Sequence, residues 1–371
     1  SPLMPKNKDV MVSNINFDLN HENYDFSTEF KVFENLGTKH SDRYQFVLPS
    51  YNFSKNLNLK NFDGSVNFYS SGSNYLKDTN NLRTSVTNDI EFQSKDYFTA
   101  SGLKNNFNLY LKNLNSLGKN DPIYKSSPRI EVMNIAEMNT SFPLTKKSQT
   151  NYEIITPKIS FRANPGNNMN DYSSSTKIID ASNIFEINRL GISDSFEAGR
   201  SLTLGIDYKI DKIEKEIKDE NNYLINKKDK FLEFKLATVF RDKVETEIPI
   251  SSTIDKKNSS LFGSINNQLF ENLELDYNFA IDNNLEKFDS HSLNSKFKVN
   301  NFVTEFNYLE QSGDIGTSHF ISNVTSYEVD DNNIFSFSTR RNKKINLTEY
   351  YNLSYEYKND CLTAGIKYNK T

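Results

Sequence analysis

The sequence predicts an all-β protein, a transmembrane antiparallel β-barrel, on three observations. Polar and apolar side chains alternate along many segments, these segments are long, and tight and long joints between them mostly alternate. A period of two is the side-chain repeat of a strand whose two faces meet different surroundings. The pattern gives about 16–18 strands, which we take as part of a larger barrel.

The clearest alternation runs from Leu273 to Ile281. Its apolar positions are Leu273, Leu275, Tyr277, Phe279 and Ile281, and the polar positions between them include Glu274, Asp276 and Asn278. Most candidate strands have about 10–14 residues, whereas strands of globular proteins average about 5–6. A strand that crosses a membrane at a tilt needs about 9–11 residues, so the lengths favour a membrane wall.

The joints between the predicted strands mostly alternate between tight and long. Tight turns are predicted at His21-Asn23, Lys55-Asn56, Ser94-Asp96, Asn300-Asn301 and Lys358-Asp360. Longer joints are predicted at Asn35-Arg43, Ser70-Asn80, Lys112-Ser127, Pro165-Ala198 and Asp242-Ser259. Outer-membrane barrels have short periplasmic turns and longer outside loops. The segment Asp211–Lys230 is an exception, since it is long where a tight turn is due.

The composition narrows the class of protein. Hydrophobic residues make up 36% of the chain, aromatic residues 13%, and mean hydropathy is -0.68. Disordered chains are poor in aromatic residues, so strands with one wet face explain the composition better. The net charge of -4 and the interspersed charges predict no nucleic-acid partner. A soluble β-sandwich or a β-solenoid stays an alternative, although a solenoid would show a fixed repeat.

Membrane physics assigns the two faces of each strand. The Phe, Tyr, Leu and Ile face must touch lipid, and the Asn, Ser, Lys and Glu face must line a wet lumen. A ring of about sixteen or more strands is too wide for side chains to fill. The predicted lipid-facing set includes Leu204, Ile206, Leu275, Tyr277, Leu353 and Tyr355.

Few residues suggest catalysis, and we expect no enzyme activity, no cofactor and no metal. An outer-membrane hydrolase would need only one Ser and one His, so that alternative stays open. The cluster Asp330–Asn333 is either a set of calcium ligands or a solvated turn. The basic run Arg340–Lys344 either meets lipid headgroup phosphates or is a solvated strand end.

The segment from Pro165 to Ala198 is polar but contains an apolar patch at Ile184 and Phe185. A long ordered loop in a wide barrel often folds into the lumen, which is what we expect here. Arg189 and Asp194 are candidates to pin the loop by a charge-assisted hydrogen bond.

Four ordered motifs resemble the family of lipopolysaccharide-assembly proteins of the Gram-negative outer membrane (LptD). The first is Asp42, Arg43, Tyr44, Leu48 and Pro49. The second is Asn183, Ile184, Phe185, Asn188, Arg189, Leu190, Gly191 and Asp194. The third is Pro249, Ser251, Ser252, Lys257, Ser259, Ser260 and Gly263. The fourth is Tyr355, Glu356, Tyr357, Asp360 and Cys361. The chain departs from the family at Ser195, where Arg is common, and at Ser260, where Asp is common.

The resemblance implies that residues 1–371 are part of an outer-membrane barrel domain, without the family's N-terminal periplasmic jelly-roll domain and final strands. It implies that lipopolysaccharide enters from a periplasmic bridge protein and leaves toward the outer leaflet, with outer-membrane lipids around the barrel and a plug lipoprotein in its lumen. It also implies a disulfide from Cys361 to the N-terminal domain. The expected function is therefore insertion of lipopolysaccharide at the cell outer membrane. The alternatives are a diffusion porin, a receptor-type barrel or, third, a soluble adhesin.

Overall fold

The computed structural model describes residues 10–37, 43–57, 63–78, 80–165, 177–192, 195–213, 230–270 and 272–370. Within these ranges the chain forms twenty β-strands and includes the short 3-10 helix Ile250–Ser252. The first ten strands are β1 Val10–His21, β2 Tyr24–Asn35, β3 Tyr44–Asn56, β4 Gly64–Lys77, β5 Asn81–Ser94, β6 Tyr97–Phe98, β7 Lys104–Lys119, β8 Arg129–Ser141, β9 Leu144–Lys147 and β10 Asn151–Asn164. The others are β11 Gly199–Lys212, β12 Phe231–Arg241, β13 Leu261–Phe270, β14 Leu273–Ile281, β15 Phe288–Val299, β16 Phe302–Gln311, β17 His319–Asp330, β18 Asn333–Asn342, β19 Leu347–Lys358 and β20 Thr363–Lys370.

The strands form one antiparallel meander in which each pairs with its neighbours in the chain. Two short strands are extensions of others, because β6 pairs with β7 as β5 does, and β9 pairs with β10 as β8 does. Counted this way, the described part of the wall has 20 − 2 = 18 strands. The predicted all-β antiparallel barrel wall is confirmed. Among the described residues, β1 pairs only with β2 and β20 only with β19.

Because neighbours are antiparallel, alternate joints lie at the same end of the sheet. One end carries the long joints 120–128, 165–198 and 242–260, and the other carries turns such as 300–301 and 359–362. We call the first the long-loop end and the second the tight-turn end. The exceptional joint between β11 and β12 belongs to the tight-turn end, but its residues 214–229 lie outside the described ranges.

Three predicted joints were wrong, and a fourth was displaced, because Lys55 and Asn56 are the last residues of β3 and the joint follows at residues 57–63. Residues 70–77 belong to β4 and residues 112–119 belong to β7, so the expected long loops Ser70-Asn80 and Lys112-Ser127 are much shorter. The expected turn at Ser94-Asp96 is a break between β5 and its extension β6, and the chain reverses at residues 99–103.

The two faces of the wall differ as the alternation predicts. One face, here the outer face, is apolar and uncovered: Ile130 is 77% exposed, Leu353 52% and Ile366 76%. Register places Leu353 opposite Phe337 and Tyr368 on this face. The other, inner face is polar, or is covered by the chain's own joints. Among the described residues, no helix is long and apolar enough to cross a membrane.

A polar hydrogen-bonded ladder on the outer face explains why β4 and β7 were cut short in the prediction. Tyr51 Oη lies 3.1 Å from Ser70 Oγ, which donates to Asn88 Oδ1 (2.8 Å), and Asn88 Nδ2 donates to Asn113 Oδ1 (3.2 Å). Asn115 Nδ2 also donates to Asn113 Oδ1, at 2.7 Å. Polar residues that bond each other across strands can occupy an apolar face, and they erase the alternation that sequence reasoning uses.

Candidate functional site

The joint between β10 and β11 packs onto the inner face of the wall. The Phe185 ring lies on the backbone of Gly205 in β11, where an added Cβ would sit 2.7 Å from the ring. The ammonium of Lys158 lies 5.6 Å from the centre of the same ring. Farther along, the Phe196 ring makes an edge contact with Tyr110 of β7 at 6.3 Å. The described part of this joint, residues 177–192 and 195–198, is therefore an inner loop held against the wall.

A second inner loop, residues 242–260 between β12 and β13, completes an apolar core with the first. Ile184 and Leu190 of the first loop and Ile248 and Ile254 of the second are all at most 2% exposed. The wall contributes Ala237, Val239, Phe262 and Ala280 to the same cluster. Burying apolar area on the inner side of a polar wall is what fixes both loops in place.

Pro249 and Ser252 shape the second loop. Pro249 immediately precedes the helix Ile250–Ser252, and its carbonyl accepts hydrogen bonds from Ser252 N (2.9 Å) and Ser252 Oγ (2.6 Å). Thr253 follows in the left-handed conformation, with φ +58. This reversal points Ile248 and Ile254, on either side of it, into the core.

Arg189 is fully buried and joins the first loop to β11. Its Nε donates to Glu197 Oε2 (2.6 Å) and its Nη2 to Glu197 Oε1 (2.5 Å), a bidentate pair. Its remaining bonds go to Thr203 Oγ1 (2.9 Å), Ser201 Oγ (3.0 Å) and the Ile184 carbonyl (3.2 Å). One guanidinium thus ties the loop to itself and to the wall.

Two more arginines from the wall meet the same carboxylate. Arg241 of β12 donates to Glu197 Oε1 and also binds the carbonyls of Ala198 (2.9 Å) and Ile254, so it contacts both loops. Arg162 of β10 lies 3.8 Å from Glu197 and pairs with Glu137 of β8 at 2.8 Å. We call Arg162, Arg189, Arg241, Glu137 and Glu197 the inner charge cluster.

Electrostatics keep Glu197 ionised. Burial alone would raise the pKa of the Glu197 carboxyl, but Arg189 and Arg241 outweigh burial and hold this pKa at about 2. The peptide carbonyl of Glu197 also accepts a bond from Asn164 Nδ2 (3.1 Å). A carboxylate that stays charged while buried must keep its cations, so the cluster holds the loops as one unit.

Glycine is required beside this cluster at Gly199. Its φ is +76, a conformation that L side chains rarely adopt, and an added Cβ would sit 2.2 Å from Glu245 Oε1. The chain can therefore turn from the loop into β11 directly next to Glu197.

The other predicted site residues lie at different places. Asn183 builds a turn with Asp180, whose Oδ1 accepts the Asn183 N–H at 3.0 Å. Gly191, two residues after Arg189, has a φ of +70. Gly263 of β13 lies beneath the Phe279 ring on the outer face. Cys361 is an exposed free thiol in the turn between β19 and β20, at the tight-turn end. Asp194 lies outside the described residues.

Sequence reasoning missed four members of the cluster: Glu197, Arg162, Arg241 and Glu137. It looked for the partner of Arg189 within the first loop's motif, at Asp194, whereas the structure pairs Arg189 with Glu197. A usable signal was present, because Arg162 and Glu137 occupy inner positions of strands whose outer positions are apolar.

Among the described residues, no group of His, Cys, Asp or Glu is arranged to hold a metal. The Asp330 carboxylate is bonded by Asn332 N and Asn333 Nδ2 in a tight turn.

The family described as "LPS transport system D" (LptD) matches residues 7–333. The chain belongs to this family. The match confirms the resemblance predicted from the four motifs, and with it the outer-membrane location. No curated protein matches the chain.

Several solved structures resemble this LptD chain in fold at low identity. One is a mutant of the ferric enterobactin receptor PfeA from Pseudomonas aeruginosa, with 10% identity and a TM-score of 0.42 over 99% of this chain and 66% of the receptor. Another is a second mutant of that receptor in complex with enterobactin, with 9% identity and a TM-score of 0.39 over 95% and 65% of the two chains. The chain spans just under two thirds of the length of these receptors.

Proposed function

We propose that this chain forms wall strands of the outer-membrane barrel through which lipopolysaccharide passes to the outer leaflet. The observation that carries the proposal is the LptD family match over residues 7–333. The chain acts as a conduit and not as an enzyme: its most buried polar cluster binds the chain's own loops.

The geometry supports a division of the inner face into two sectors. Over β10–β13 the two inner loops and the inner charge cluster fill the space next to the wall. Over β13–β16 the inner face forms an open polar groove lined by Asn266, Asp276, Asn294, Lys296 and Asn307. In our proposal the filled sector shapes the lumen, and the open polar sector faces the plug lipoprotein and the passing lipid headgroup.

The remaining partners rest on the family alone. We propose that a periplasmic bridge protein delivers lipopolysaccharide at the tight-turn end, where Cys361 lies. A disulfide from Cys361 to an N-terminal periplasmic domain would hold the delivery domain beside the barrel.

The test replaces the gene that encodes this chain with a variant, in cells whose growth depends on that gene. Glu197→Gln should lower the amount of lipopolysaccharide at the cell surface, measured by labelling intact cells with an impermeant sugar-reactive probe. Glu186→Gln, a change of an exposed carboxylate in the same loop, should leave it unchanged. If depletion of the protein lowers uptake of small solutes while surface lipopolysaccharide stays normal, the chain belongs to a diffusion porin and the proposal is wrong.

A further inference from the structure

Two adjacent arginines at the end of β18, next to the turn between β18 and β19, lie on opposite faces of the wall. Arg340 lies on the inner face, where its Nε pairs with Glu349 (2.9 Å) and its guanidinium stacks on Phe320 at 4.1 Å. Arg341 lies opposite Ile321 on the outer face, which it shares with Phe337. The chain thus places one arginine in an internal pair and directs the next one toward the surroundings of the barrel.

Arg341 belongs to a group of cations without acidic partners. Arg341, Lys343 and Lys344 are all exposed, and among the described residues none of them forms an ion pair with a carboxylate. The guanidinium of Arg341 donates to a neutral amide, Asn346 Oδ1, at 2.5 Å. Arg340 is thus paired with a carboxylate, whereas these three exposed cations are available to an external anion.

The same turn exposes an apolar side chain, Ile345, which is 62% exposed. The backbone that carries it is fixed, because Asn342 Oδ1 accepts the N–H groups of Lys344 (3.1 Å) and Ile345 (3.4 Å), and Lys343 N donates to the His319 carbonyl (2.8 Å). Cations beside an exposed apolar side chain are the chemistry of a membrane interface, where phosphates lie next to acyl chains.

This turn lies at the long-loop end of the wall, which in outer-membrane barrels is the outside end. We propose that Arg341, Lys343, Lys344 and Ile345 form a binding surface for the phosphate-bearing headgroup of a lipid in the surrounding outer leaflet. The cations bind the phosphate, and the Ile345 side chain enters the boundary of the acyl chains. The surface lies outside the lumen, so the inference goes beyond the transport role proposed above.

The test compares two lipids that differ only in the phosphate. The purified full chain in detergent is mixed with phosphatidic acid or with diacylglycerol of the same acyl chains, and retained lipid is counted by native mass spectrometry. The unchanged protein should retain phosphatidic acid preferentially. Arg341→Ala should lower that retention about fivefold, and Lys343→Ala/Lys344→Ala by about fivefold for each cation.

Arg340→Ala is the matched control, since it removes the same charge one residue away on the inner face, and it should retain phosphatidic acid normally. Ile345→Ser should lower retention of both lipids. Each variant must show the heat-dependent gel shift of a folded barrel, and Arg341→Gln replaces any Arg341→Ala protein that does not. The proposal is wrong if both lipids are retained equally, if Arg341 variants retain as much as the unchanged protein, or if Arg340→Ala loses as much as they do. Such a failure would leave the lipopolysaccharide assay in cells unaffected.

Discussion

The inner face of the wall is buried beneath the two inner loops at the long-loop end of β10–β13 and is open over β15–β19. In the covered sector Ser160, Arg162, Thr203 and Val239 are at most 1% exposed. In the open sector, inner positions such as Ser292, Asn307, Ser336 and Asn352 are all partly exposed. The same alternating strands therefore support two different inner surfaces, and the difference comes from the loops that cover one of them.

The two sectors also use different chemistry. The covered sector holds full charges, and each cation there has a carboxylate or several carbonyls within bonding distance. The open sector of β15–β19 carries many small neutral hydroxyl and amide groups that water can reach, and its inner ion pairs, Lys296–Glu305 and Arg340–Glu349, are at least one third exposed. Buried charges stabilise a fold only while all partners are present, whereas exposed polar groups are individually dispensable. Substitutions should therefore have large effects in the covered sector and small ones in the open sector.

The largest effect is expected for Glu197→Gln. This change leaves three buried guanidiniums with Glu137 as the remaining carboxylate of the cluster, and removing one member of a buried ion pair costs about 3–5 kcal/mol. Glu186→Gln removes a carboxylate from the same loop, but its pair with Lys177 (3.1 Å) is half exposed, so the loss should stay below about 1 kcal/mol. The urea midpoint of the folded barrel in detergent measures both. Equal midpoints for the two variants would contradict the role of the cluster.

The next largest effect is the difference between substitutions on the outer and the inner face of β19. Leu353 lies on the outer face in the middle of β19, and its neighbour Asn352 lies on the inner face, where it bonds Ser338 (3.2 Å). Leu353→Arg places a charge in hydrocarbon and should cost about 2–4 kcal/mol, whereas Asn352→Arg enters the wet lumen. Assembly into lipid vesicles, followed by the heat-dependent gel shift, measures the difference. If both variants assemble equally well, the assignment of faces is wrong.

A smaller effect is expected where the first inner loop touches the wall. Gly205→Ala places a Cβ about 2.7 Å from the Phe185 ring and should cost about 1–3 kcal/mol through overpacking. Phe185→Leu removes part of the ring, so Gly205→Ala should cost less in that background. A double-mutant cycle measures this difference, from the urea midpoints of the unchanged protein, the two single variants and the double variant. Additive costs would show that Phe185 does not lie on Gly205.

The smallest effect on stability is expected for Cys361→Ser, because the thiol is exposed in a turn. The family implies instead a covalent role in the full-length protein. That protein should change its gel mobility on reduction, and Cys361→Ser should abolish the change. Quantitative maleimide labelling of Cys361 in the unreduced full-length protein would contradict the disulfide.

The strand boundaries show which parts of the fold could be predicted from the sequence. The strand β14 begins and ends at the predicted residues, Leu273 and Ile281, because its outer face is apolar at every second position. The predicted strands ended too early in β4 and β7, where Ser70 and Asn113 take part in the polar ladder. Alternation is a local property of each strand and is lost wherever cross-strand bonds satisfy polar groups.

The site was predictable only in part for a similar reason. The apolar patch at Ile184 and Phe185 and the isolated Arg189 indicated an inner loop. The partners of Arg189 depend on which strands lie side by side, and Arg241 is 44 residues from Glu197 in the chain. No local pattern brings such residues together, so the cluster appears only once the register of β10–β12 is known.

Hydrogen exchange tests most directly the central claim that the first inner loop is fixed to the wall. The amides of Ile184, Gly191 and Ile192 donate hydrogen bonds inside this loop, to the Asp180 and Asn188 carbonyls and to Asn188 Oδ1. In the folded barrel these amides should exchange far more slowly than unprotected amides of the same sequence in an unfolded peptide, and Glu197→Gln should remove the protection. Exchange of the loop amides at the unfolded-peptide rate in the unchanged protein would contradict the account.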